Sequence, residues 1–176
     1  DIPYTTIPLG VILRENYIIT VTRWQNPVIQ DFSSGRARGF TTGKRYRFLL
    51  RLLLSTANRF LAHVREINRA VDLLEDQLQK SIRNKEVLEL LKYQKSLVYF
   101  TTALRSNELM LERLQRTKIF HMYPDDEDLL EDVITENQQA IEMTNISNNI
   151  LTSMMDAFAS IISNNLNEVM KFLTSF

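Results

Sequence analysis

Ten carboxylates and not one lysine or arginine occupy residues 119–170: Asp125, Asp126, Glu127, Asp128, Glu131, Asp132, Glu136, Glu142, Asp156 and Glu168. Carboxylate oxygens are what hard cations take as ligands, so cation binding is the chemistry this stretch offers. Asp128, Glu131, Asp132 and Glu136 recur at steps of three and four. On a helix they crowd together and repel one another unless a cation or a basic neighbour relieves them. The quartet from Asp125 to Asp128 has a second reading, because carboxylates in a first helical turn complement the dipole and cap free backbone N–H groups. Capping is expected to be its main role. Residues 1–118 carry 20 basic side chains against 11 acidic ones, so the zero formal net charge averages two opposite parts. That asymmetry implies a partner attracted by the acidic part, of which a cation is the simplest.

Other side chains offer less. Asn145, Asn148, Asn149, Asn164, Asn165 and Asn167 are many amides for a helix, either zipping a bundle together or lining a path for water and hydrated ions. Met154, Met155 and Met170 read as packing residues rather than soft-metal ligands, which would call for Cys, His or tighter Met spacing. The chain has no cysteine, and His63 and His121 stand too far apart for zinc-ligand spacing. There is no Ser-His-Asp arrangement, Gly-rich phosphate loop or basic stripe interleaved with aromatics, so catalysis and nucleic-acid binding have no support. No apolar run reaches the ~18 residues of a membrane span, and no signal peptide is visible. Both ends look cut, so the chain reads as a fragment.

The elements that must position these groups are mostly helical. Thr6 to Leu13 and Tyr17 to Thr22 are rich in β-branched residues around a short polar link and read as a hairpin, residues 1–32 being the remnant of a larger N-terminal sheet domain. Residues 33–43 hold three of the four glycines and read as a linker. Over residues 44–118 two seams repeat at steps of three and four, Leu50 to Leu78 and Leu90 to Leu114, predicting two long antiparallel helices. Residues 119–176 form a connector and a helix from about Asp126 to Thr174, far too long to stand without partners. Its apolar line of Leu130, Ile134, Ile141, Leu151, Met155, Phe158, Ile162 and Val169 is interrupted by Asn137, Thr144, Asn148 and Asn165, which would fix register and association state. The fold class is α+β, predominantly α, and self-association is expected.

Specific strings then carry a resemblance. Asn167, Glu168, Val169, Met170, Lys171, Phe172, Leu173 and Thr174 resemble the junction between stalk helix and first membrane helix in the CorA family of magnesium and cobalt transporters. The segments Lys95 to Glu112 and Leu130 to Ile134 are similar to the same family. The family's membrane signature Gly-Met-Asn lies beyond the end of this sequence. The resemblance implies a homopentamer on the cytoplasmic face of the cell membrane, anchored through further C-terminal helices, that transports Mg2+, with Co2+ as a second cargo, and closes when Mg2+ is plentiful. It implies that Asp132 is the stalk carboxylate of a regulatory site between subunits, with Asp128 and Glu136 as weaker candidates. Asn167, Met170 and Leu173 are implied to face the pore. Lys44, Arg45, Arg47, Arg51 and Arg59 depart from the acidic helices of some members, against a cation-collecting role there. The competing readings are a soluble helical scaffold and, within the family, a zinc transporter.

Overall fold

Alternation of β-branched and small residues produces an antiparallel hairpin, β1 (Leu9–Leu13) and β2 (Ile18–Thr22), in register from Leu9 opposite Thr22 to Leu13 opposite Ile18. The computed structural model describes residues 1–37, 39, 41–80, 84–117 and 123–174, without the side chains of Lys80, Asn84, Phe172 and Leu173. Period two gives the hairpin two faces. Val11 and Leu13 pack on the helices, while Ile12, Ile19 and Val21 are exposed.

A short helix, α1 (Pro27–Ser33), follows, occupying the end of the stretch read as the hairpin remnant and the first residue of the one read as a linker. The sequence reading placed no helix here, but its start is set locally: the Asn26 side chain accepts from the Val28 N–H and Pro27 needs no N–H partner at the first position. Its end is set by Gly35, whose φ of 73° lies in the left-handed region where a Cβ is strained.

Three long helices complete the chain: α2 (Arg45–Lys80), α3 (Asn84–Arg116) and α4 (Pro124–Thr174). Both predicted seams are buried, with Leu50, Val64, Ile67 and Leu78 of α2 and Leu90, Leu97 and Leu104 of α3 wholly enclosed. They do not simply zip to each other. The helix that covers them is α4, inserting Ala140, Ile141, Leu151, Met154 and Phe158 into the main core and Leu129, Leu130 and Val133 into a second cluster under the hairpin. The Asn137 side chain reaches the Leu104 carbonyl and the Gln94 side chain reaches Thr152, so α3 and α4 run antiparallel. Arg47 meets Asp126, while Glu75 shares a cleft with Met154 and Phe158, so α2 and α4 run parallel.

With 51 residues, α4 is about 76 Å long against about 54 Å for the 36 residues of α2. It outruns its partners. Ile162 is its last half-buried side chain, and every described side chain beyond it is exposed. No described helix is long and apolar enough to cross a membrane.

Candidate functional site

The first turn of α4 carries Asp125, Asp126 and Glu127 at the positive end of the helix, and adds a tertiary tie. Pro124 opens the helix and the Tyr123 carbonyl accepts from the N–H groups of Asp126 and Glu127. Asp126 then turns inward, only 5 % exposed, and accepts from Nε of Arg47 on α2 at 2.5 Å, while Asp125 meets Nη2 of the same arginine at 3.3 Å. Two of the four quartet carboxylates are therefore tied to a basic side chain, in addition to lying at the positive end of the helix. This partner, 79 positions away, could not be seen from spacing.

The remaining candidates look outward. Leu129, Leu130, Val133 and Asn137 occupy the buried side of this part of α4, which leaves Asp128, Glu131 and Asp132 exposed and Glu136 half-buried. Among the described residues none of these four forms an ion pair. Nor do three or more His, Cys, Asp or Glu side chains of one chain gather where they could hold a metal ion, among the described residues. Asp132 presents its carboxylate away from the chain's own bundle. Any closed coordination shell around it needs donors from a second molecule or from water.

At the far end of α4, Asn167 and Met170 are exposed, together with Ile161, Leu166 and Val169. The side chain of Leu173 lies outside the described residues, as do His121 and Phe176. Nearer the middle, Ile146, Ile150, Ala157 and Ile161 share one exposed face of α4, beside the face that enters the core, and Ile150 and Ala157 line a cleft with Met154 and Phe158. The amides divide by position. Asn137 and Thr144 are buried, and each is hydrogen-bonded to a backbone carbonyl, of Leu104 and of Ala140. Asn148 is half-buried with its Oδ1 enclosed and without a partner among the described residues, whereas Asn149, Asn164, Asn165 and Asn167 are exposed.

Several of the basic side chains on α2 serve as internal ties. Arg47 holds α4, Arg59 bonds Asp31 of α1 at 2.7 Å, and Arg45 donates to the Arg14 carbonyl at the hairpin turn. A second tie was not visible in the sequence. Tyr4 lies across α2 and α3, its N–H on Ser96 Oγ at 3.2 Å, its hydroxyl on Glu66 at 3.0 Å, and its ring 4.9 Å from that of His63. His63 Nδ1 is in turn 2.8 Å from the same Glu66 oxygen. These bonds, from His63 first and Tyr4 second, hold the Glu66 carboxyl below its ordinary pKa, and burial, reinforced by Glu66, raises that of Tyr4. A lone tyrosine in an extended segment carries no periodic signal that could have shown this.

The profile of the CorA-like Mg2+ transporter protein family matches residues 1–176. The chain belongs to this family. The cobalt/magnesium transport protein CorA of Methanocaldococcus jannaschii is 27 % identical to this CorA-like chain over 179 residues, which cover 97 % of the chain and 55 % of that relative. The chain thus spans about half the length of that curated relative. The complete structure of the CorA magnesium transporter from the same organism superposes with a TM-score of 0.74 at 22 % identity, over 96 % of this chain and 58 % of that one. The structure of its soluble domain gives 0.69 at 21 % identity, over 85 % and 67 %. Hairpin, paired helices and long α4 are therefore the CorA soluble-domain fold.

Proposed function

We propose that this chain is the regulatory and stalk part of a divalent-cation transport channel, carrying Mg2+ and accepting Co2+, and that it works on the cytoplasmic face of a membrane. The observation that carries the reading is α4: in a chain matched end to end by the family profile, this helix leaves its own bundle after Ile162 and continues with Asn167 and Met170 exposed. A stalk that runs on toward a membrane needs such an overhang, and side chains on it can face a pore only when other copies surround it.

Assembly follows from the same helix. Exposed Ile146, Ile150 and Ile161 offer apolar surface to identical α4 helices, while Asp128, Glu131 and Asp132 bring unneutralised charge close together in any symmetric ring. In the proposed mechanism, divalent cations bridge Asp132 of one subunit to donors of the next, with Asp128 and Glu136 contributing more weakly. The bridges cancel the repulsion and hold the stalks together. When cations leave, the acidic faces spread, and a collar formed by Met170 and Leu173, with Asn167 at its mouth, widens and wets. The reading takes the assembly to be a homopentamer.

The test uses the longer protein in membranes. Mg2+ is expected to slow proteolysis of the stalk, and Asp132→Asn to remove part of that protection. Unchanged protection in the variant would reject the role given to Asp132.

A further inference from the structure

The exposed sides of α3 and α4 carry opposite charges set among similar apolar side chains. On α3, Lys95, Arg105 and Arg113 fall within about 70° of one line along the helix, together with Val98, Tyr99 and Leu109, and all six are exposed. The glutamates of α3 stand off this stripe. Glu108 and Glu112 line a cleft beside α4, Glu89 holds Lys92, and Glu86 is half-buried with one carboxyl oxygen enclosed. On α4, Asp128, Glu131, Asp132 and Glu142 share a stripe of about the same width with Ile146 and Ile150, again all exposed, and residues 119–170 hold no lysine or arginine. Among the described residues, none of these three bases and four acids forms an ion pair.

The two stripes also keep step. Asn137 reaches the Leu104 carbonyl and Gln94 reaches Thr152, which sets the levels of the antiparallel helices. Arg113 is then level with Glu131 and Asp132, Arg105 with Glu142, and Val98 and Tyr99 with Ile146, each to within about one turn. Rotation about an axis along α4 carries a neighbour sideways without changing its level. What is level within one chain is therefore level between copies arranged around such an axis.

We propose that copies of this chain join head to tail, the basic stripe of α3 on one copy lying against the acidic stripe of α4 on the next. A heterologous contact of this kind makes a ring when its rotation closes. The inference rests on the ring of copies proposed above and adds a second surface to it: identical α4 helices take the Ile150 edge of the exposed side, and α3 takes the Glu131 and Glu142 edge. Opposite charges set the register, and Val98, Tyr99 and Ile146 supply the apolar contact.

The test is cysteine cross-linking in the longer protein in membranes, with two differently tagged variants made together. Arg105→Cys in one copy and Glu142→Cys in the other should give a mixed dimer several-fold above the product of either variant alone. Lys95→Cys with Glu131→Cys, about 25 Å out of level, should give none. All four positions are exposed, so folding is not at stake. Arg105→Glu with Arg113→Glu should weaken association at least about tenfold in sedimentation, and adding Glu131→Arg with Glu142→Arg to the same chain should restore it. A mixed dimer no stronger than the single-variant products, equal cross-linking of the two pairs, or charge reversal without effect overturns the contact. Ile150→Cys alone reads the α4 contact of the proposed function. Its self-cross-link without the mixed dimer rejects this inference and keeps that reading, whereas a monomer in sedimentation with neither product overturns both.

Discussion

Single side chains in this molecule do what their environments permit rather than what their types advertise. Asn137 is a poor helix former by propensity, yet it sits 2 % exposed in the bundle because its amide spans to the Leu104 carbonyl. Asn137→Ala removes that bond and leaves a gap, and should lower stability by ~1–2 kcal/mol in denaturant unfolding. Asp126 is buried against Arg47, so Asp126→Ala leaves a guanidinium that is one-fifth exposed without its main partner. A lowered thermal midpoint, not restored by salt, is the expected result. Glu66 gives a pH signature. Its folded pKa is depressed by the bonds from His63 and Tyr4, so its stabilisation is present above the unfolded value of about 4.3 and is lost as pH falls through the folded one. The stability difference between wild type and Glu66→Gln should therefore be seen at neutral pH and shrink below about pH 4.

The elements differ in how far their own sequence decides them. The seams of α2 and α3 announced themselves through unbroken steps of three and four, and Leu50, Leu78, Leu90, Leu97 and Leu104 on them are wholly buried. Leu97→Ala or Leu104→Ala should cost ~2–5 kcal/mol, the range for emptying a packed leucine site. On α4 the same apolar line enters the chain's own bundle as far as Phe158 and Ile162, whereas Val169, also on it, is 56 % exposed in the single chain. Periodicity marks a face; it does not say where the partner helices stop. The exposed isoleucine face of α4, with Ile146 at 58 % and Ile150 at 56 %, should show that difference in experiment. Ile146→Gln with Ile150→Gln is expected to change the unfolding free energy of this chain by less than about 0.5 kcal/mol, as surface substitutions do. If the proposed stalk assembly is right, the same pair weakens association of the longer protein in sedimentation.

For the whole molecule, composition and pattern determined a good deal. The division into hairpin, two long helices and one longer helix follows from hydrophobic periods of two and 3.6, and the acidic, Lys/Arg-free character of residues 119–170 is plain in the chain itself. Local chemistry was legible because it acts over a few residues, as in the acidic side chains of the first turn of α4. Tertiary structure alone decided the rest, since each part of it joins residues far apart in sequence. It made α4 the helix that covers both seams, turned Asp126 and Asp125 toward Arg47, tied Tyr4 to Glu66 and Ser96, and brought Glu108 and Glu112 opposite Asn137. It also left Asp132 looking away from its own chain. One sequence can set the charge on a helix through composition, but which of those charges stay unneutralised depends on the neighbours that packing supplies.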